Sequence, residues 1–389
     1  MSPRLLLGVL VLLTAVLSSA AHPSAAQFQE FARHIDALSA FDYETRTTAA
    51  RMLRRGSTTE VVPALMAAVR DHRDQYVRYR ALILFASFNA RETPDLMRTL
   101  LTDRNDRVRE VVYRWFERHP DSSLTGVLLA ALNTEQSEFV RPVLVRAIAA
   151  LPPSDLVQRA LVAEVGRGLD FFRSAVIQAI GQHRATYAVN ALAAVAELDG
   201  PLQDDAVVAL GRIGGAAAQR ILAMLLQRFS SDPTPPPIAL SLHAAYCLVD
   251  DADCGTRFAL LAHVAADPRA PADDVRAAVD ALVVLAGHGH TGARDALYMK
   301  VAPVRRGPAA LGLSEMALQR PLDMTEWLVR QPDADRTAVI ELLREGFERL
   351  EEDFAEEQFF AAARTVYWQA EEGSTVRGVM ATLIDRLEF

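Results

Sequence analysis

Residues 93–119 read TPDLMRTLLTDRNDRVREVVYRWFERH, and their apolar positions fall into two helical stripes. Leu96, Met97, Leu100 and Leu101 mark the first stripe; Val108, Val111, Val112, Trp115 and Phe116 mark the second. Spacings of three and four residues predict two amphipathic helices. The punctuation between them predicts an antiparallel hairpin. Thr93 is the expected cap of the first helix, with Pro94 at its first position, where a missing N–H is no loss. Asp103, Asn105 and Asp106 form a polar corner, Asp106 is the expected cap of the second helix, and Pro120 stops that helix. Helices of about ten residues are marginal alone because nucleation is costly, so neighbouring hairpins must supply the missing burial.

The same pattern recurs. Val77-Arg78, Val108-Arg109, Val140-Arg141 and Phe172-Arg173 follow one another at intervals of 31, 32 and 32 residues. A further step of the same length backwards from Arg78 reaches Arg46, and one forwards from Arg173 reaches Asp205. Beyond residue 229 the period lengthens and the linkers become rich in Pro and Gly, first in SSDPTPPP (230–237), then in VAPVRRGP (301–308). Arg276 and Arg377 mark later copies, and no convincing strand alternation interrupts them. The expected fold is all-α: a solenoid of stacked antiparallel hairpins, regular over 27–229 and continuing less regularly over 230–389. Residues 28–38 should form an opening amphipathic helix.

A Val-Arg pair that opens an inner helix, preceded by a turn with Asp, resembles a HEAT repeat, an armadillo-like unit. The resemblance covers most of the chain and is strongest at Asp74/Val77-Arg78, Asp103/Asp106/Val108-Arg109 and Asp273/Asp274/Val275-Arg276. The period is shorter than that of long HEAT arrays and matches the compact bacterial HEAT-like type. The resemblance implies a right-handed superhelix whose repeats are joined by a hydrogen-bonding ladder, here Arg46, Arg78, Asp106, Arg109, Arg141, Arg173 and Arg276. It also implies that the concave face binds partners. Inner-helix positions between the ladder residues, namely Tyr79, Arg80, Glu110, Tyr113 and Arg114, are the candidates for contact with a protein or peptide.

Composition narrows this further. Of 389 residues 51% are apolar and 7% aromatic, material for packing helices, and the net charge is −8. Lys300 is the single lysine, so the basic residues are almost all arginine, yet no long basic run exists to track phosphates. Nucleic-acid binding is therefore not expected. At the start, Arg4 precedes an apolar run at 5–17 and small residues at 18–26, the pattern of a signal peptide cleaved after Ala26 or Ala21. A run of 13 residues is short for a membrane span, and nothing after residue 27 is long and apolar enough to make one. Export to the periplasm or the extracellular space is expected, the alternative being an uncleaved anchor. Export would let Cys247 and Cys254, the only cysteines, form a disulfide, the alternative being two buried thiols.

Candidate chemistry is sparse. Residues 287–292, Gly-His-Gly-His-Thr-Gly, satisfy G-x-G-x-x-G, but they follow a helical run and lack an acid about 20 residues on, so a glycine-rich turn is expected. His288, His290 and His263 could hold a metal if the fold brought them together, and Asp250, Asp251, Asp253 and Gly255 resemble a fragment of a calcium loop. No hydrolase, zinc-protease or phosphate-loop motif occurs, and no cofactor is expected. Residues 341–372 interleave ten acids with Phe347, Phe354, Phe359, Phe360, Tyr367 and Trp368, whereas residues 44–118 carry 15 arginines against 10 acids. The acidic stretch is either a final amphipathic hairpin or a groove for a basic partner, and the opposite signs could orient a partner or join copies head to tail. The expected function is an exported non-enzymatic interaction scaffold. The alternatives are a metal-dependent or enzymatic protein using the His and Asp cluster, and a structural subunit of an envelope assembly.

Overall fold

The structure, a computed structural model, describes residues 25–229, 236–250, 252, 254–350 and 352–387. Over those residues the chain forms 22 α-helices and no strand. The helices pair in succession as antiparallel hairpins and stack as a solenoid. The expected signal segment, apart from Ala25 and Ala26 in the first helix Ala25–Ala37, lies outside the described residues, as do Asp251, Asp253 and positions 230–235 of the Pro-rich break.

The second helix of each hairpin packs on the second helix of the next. Gln75–Ser87, Asp106–Arg118, Val140–Ala149, Asp170–Gln182, Gln203–Ile213, Ile238–Val249, Ala272–Gly287, Arg306–Gln319 and Asp333–Leu350 follow one another as a continuous inner layer. The first helices touch one another less and form the outer layer, as curvature towards the second helices requires. Small residues let the inner helices approach closely. A Cβ on Gly181 would stand 2.7 Å from Ala209 Cα, and one on Gly211 would stand 2.8 Å from Ala245 Cα. The second contact carries the stack across 230–237 without a break. In the described residues the ladder of apolar side chains is likewise unbroken, with Val77, Val108, Val140, Leu144, Val176, Val207 and Leu210 excluded from water.

At residues 93–119 the helices are Thr93–Leu100 and Asp106–Arg118. Two caps differ from expectation. Thr93 is already helical and buried, so its hydroxyl meets no backbone N–H, and Glu92 takes the capping position without a side-chain bond. Asn105 caps the second helix, accepting from Arg107 N at 3.1 Å, because Asp106 is itself the first helical residue. Asp74 and Asp42 cap Gln75–Ser87 and Tyr43–Arg55 in the same manner.

The solenoid closes into a ring. Its last hairpin, Asp353–Gln369 and Thr375–Leu387, reaches back to the first repeats, and Asp353–Gln369 packs on Gln75–Ser87. Glu357, 2% exposed, accepts from Arg54 Nε at 2.9 Å and Nη2 at 2.6 Å, and from Arg364 Nη2 at 2.8 Å. Burial pushes the Glu357 carboxyl up, and the two guanidinium groups outweigh it and hold the group below its ordinary value. Glu352 accepts from Arg114 Nη1 at 2.7 Å, and Asp385 stands 3.7 Å from Arg55. Phe354 enters the hydrophobic core of the first repeats, with the Arg118 guanidinium 5.4 Å from its ring centre. Phe347, Phe359 and Phe360 pack edge to face inside the C-terminal hairpins. The acidic, aromatic stretch is thus an amphipathic hairpin, and the opposite charges of the two ends meet within one chain.

Candidate binding surface

Inner-helix side chains that do not pack between repeats point into the lumen of the ring. Two adjoining cavities, about 720 Å³ and about 470 Å³, open there. Gln178, Gln182, Arg212, Glu315 and Gln319 line both.

The larger cavity is basic. Arg114, Arg118, Arg146, Arg184, Arg212 and Arg320 converge on it from helices far apart in the chain. Three are neutralised: Arg114 by Glu110 and Glu352, Arg146 by Glu117 at 3.3 Å, and Arg320 by Asp323 at 2.6 Å. The other three, Arg118, Arg184 and Arg212, make no salt bridge to a carboxylate among the described residues. Burial holds the Arg118 and Arg212 guanidinium groups below their ordinary values, outweighing the charges of Glu117 and Asp205. His288, at the turn after Ala272–Gly287, is lowered by burial and then by the charges of Arg212 and Arg184.

The smaller cavity is acidic, lined by Asp204, Asp205, Asp273, Asp280 and Glu315 with Arg212 and Arg276. Burial raises Asp204 and Asp280, and burial with the neighbouring Asp280 pushes Glu315 up to about 7.

The arginine series spreads over several roles. Arg78 is buried, donates to Val69 O at 2.7 Å, and forms a two-point pair with Asp103 of the next repeat. Arg109 makes a bidentate pair with Glu135 of the next repeat, both bonds 2.8 Å, and donates to Asp103 O. Arg141 lies 3.5 Å from Glu164 and over the ring of Phe172. Arg46 donates to Ala40 O and Phe41 O, and Arg173 to Val165 O and Asp170. Arg276 is 75% exposed, with Asp273 at 3.7 Å. The acid facing Arg78 is Asp103; Asp106 instead accepts from Ser137 Oγ at 3.3 Å. Burial pushes Asp103 and Glu135 up, and the bonds from Arg78 and Arg109 outweigh it, leaving both carboxyls below their ordinary values.

The contact candidates divide. Tyr113 is 1% exposed, donates to Leu101 O, and burial raises its phenol to about 12; Tyr79 is buried as well. Neither is available to a partner, because both pack between repeats where an exposed face was expected. Arg80 lines a small cavity at the ring seam with Arg46 and Glu356. Arg114 lines the larger cavity and is joined to Glu110 and to Glu352.

Cys247 and Cys254 are joined by a disulfide, their Cα atoms 5.0 Å apart. Residues 287–292 form a turn between Ala272–Gly287 and Gly292–Ala296, with Gly289 at φ 95°. His290 stacks on Phe258. No group of three His, Cys, Asp or Glu side chains suited to a metal occurs among the described residues, so His263, His288 and His290 are not assembled. No described helix is long and apolar enough to cross a membrane. What sequence reasoning missed is Arg118, Arg184, Arg212 and Glu315. Only their recurrence at or towards the C-terminal ends of the inner helices could have pointed to them.

Among solved structures the chain is similar to the CpcE and CpcF complex of phycocyanin lyase from Nostoc sp. PCC7120, at 18% identity and TM-score 0.40, covering 66% of this chain and 96% of that one. It is similar to YibA of Escherichia coli at 17% identity and TM-score 0.41, covering 56% and 81%. It is also similar to a structure of Kap95p with RanGDP, at 11% identity and TM-score 0.34, covering 92% of this chain and 60% of that one. No curated protein matches the chain. A family model described as HEAT repeats matches residues 32–113 and again 62–149, the stretch that holds the Arg78–Asp103 and Arg109–Glu135 joints, so residues 32–149 are built of HEAT repeats.

Proposed function

We propose that the chain is an exported, non-enzymatic scaffold that holds a segment of a protein or peptide inside its ring. The observation that carries this reading is the lumen itself: inner helices of successive repeats turn guanidinium, amide and carboxylate groups into one continuous space. Such groups are suited to binding an extended backbone and its side chains. A volume of about 720 Å³ lies in the range of about 300–1,000 Å³ typical of ligand sites. It suits a segment of a few residues. Export is supported by the leader pattern at 1–26 and by the disulfide, which persists in oxidising compartments.

Site-specific photo-cross-linking in the native cell tests the reading. A cross-linker at Gln182, in the lumen, should yield a protein adduct, and one at Met224, exposed on the outer helix Gly215–Phe229, should not. Equal adducts at both positions, or none at Gln182 together with turnover of a small molecule, would overturn it. Cell fractionation tests export, with the mature chain expected outside the cytoplasm.

A further inference from the structure

The lumen has two ends of opposite sign, and three arginines of its basic end make no salt bridge among the described residues. Arg118 projects from Asp106–Arg118, Arg184 follows Asp170–Gln182, and Arg212 lies near the end of Gln203–Ile213. All three line the larger cavity. Arg54, Arg78, Arg109 and Arg114, by contrast, each meet a carboxylate at hydrogen-bond distance. An arginine without such a partner in a walled space costs Coulomb energy, since walls of low dielectric focus the field of each charge on the others. Arg184 is held there at a further cost. It sits at φ 51°, just past the helix end, where the Ala185 N–H bonds back to Ile180 O. Glycine is the usual residue at that position, and a side chain in this conformation costs about 1 kcal/mol.

We infer that the basic end of the lumen, formed by Arg118, Arg184 and Arg212, is the binding site for neighbouring carboxylates of an acidic peptide segment, whose continuation carries cationic residues to Asp204, Asp280 and Glu315. This rests on the scaffold reading and adds the chemistry of the segment. Guanidinium groups match carboxylates with paired, parallel hydrogen bonds. The amides of Gln178, Gln182 and Gln319, shared by both cavities, lie between the two ends, where they can bond an extended backbone. The acidic end decides against a uniform polyanion. A nucleic-acid strand running through the lumen would bring its phosphates against Asp204, Asp205, Asp273, Asp280 and Glu315.

The test uses the full chain and three probes at about 0.15 M salt, where surface charges are screened beyond about 8 Å. The first is a fluorescent peptide with three glutamates, a Gly-Ser spacer and three arginines; the second replaces the charged residues by serine; the third is tripolyphosphate, followed by calorimetry. The charged peptide should bind at least tenfold tighter than the neutral one. Arg184→Gln with Arg212→Gln should remove that advantage, whereas Arg91→Gln, on an outer turn and 93% exposed, should not. Because neither Arg184 nor Arg212 is paired, the double variant should melt no lower than the parent, which separates lost binding from lost folding. Equal binding of the two peptides, unchanged in the double variant, would overturn the charge assignment and leave segment binding standing. Binding of tripolyphosphate alone, dependent on Arg184 and Arg212, would overturn segment binding and leave a small-anion site.

Discussion

Replacing Glu357 by alanine should open the ring. Its carboxylate is almost wholly removed from water, with side-chain exposure of 2%, and receives bonds of 2.6, 2.8 and 2.9 Å from Arg54 and Arg364, whose side chains are 8% and 20% exposed. Deleting it removes the carboxylate that the Arg54 and Arg364 guanidinium groups share at the seam. Removing one member of a buried charge cluster costs about 3–5 kcal/mol, because the remaining charges stay desolvated. Glu357→Gln keeps an acceptor of the same shape and loses only the charge, so its cost should be about 2 kcal/mol, the difference between a charged and a neutral hydrogen bond across the seam. Glu352→Ala, at a position 42% exposed, should cost under about 1 kcal/mol. Urea denaturation gives the ordering, and small-angle scattering in water gives the shape. Glu357→Ala should show a lower midpoint and a larger radius of gyration while retaining its helical circular dichroism. A scattering curve superimposable on the parent's, with an unchanged midpoint, would refute the idea that this cluster holds the ring shut.

Three further outcomes are expected. Glu315 keeps its proton to about pH 7 in the folded protein, against an ordinary 4.5, so between those values the unfolded chain binds fewer protons and stability falls as pH rises. Glu315→Gln should flatten that slope by on the order of 1–2 kcal/mol, allowing for its contact with lumen water, as read from denaturant midpoints at pH 5 and 8. Arg109→Ala strands Glu135, 5% exposed, and should cost about 3 kcal/mol and lower the melting temperature; an unchanged melting temperature would contradict the joint between repeats. Oxidised protein unfolded without reductant should show no free thiol, and Cys247→Ser with Cys254→Ser should lose about 2 kcal/mol, the loop-closure entropy of so short a loop.

The repeat was legible in the sequence because each copy is local. A Val-Arg pair every 31 or 32 residues and a polar corner before it specify a hairpin and the place where it meets its neighbour. Finer assignments were blurred by a single residue of register, as in the choice between Asn105 and Asp106 for the cap, or Asp103 and Asp106 for the partner of Arg78. Tyr79 and Tyr113 read as exposed because a phenol can serve equally at a surface or, with its hydroxyl bonded to a carbonyl, inside. The seam could not be read at all. Arg54 and Glu357 are 303 residues apart, and nothing near either reveals the other. The excess of arginine at 44–118 and of acid at 341–372 was visible, yet which surface would neutralise it depended on the accumulated curvature of every hairpin between them.

That curvature changes the mechanics of the molecule. An open HEAT array is close to one-dimensional: each unit touches only its neighbours, and the whole can lengthen or shorten like a spring by many small adjustments. Joining the ends removes that compliance. Any widening of the lumen must be shared by all the hairpins at once or obtained by undoing the Glu357 cluster in one step. Opening of the seam at Glu357 would therefore be a discrete step and not a gradual stretch.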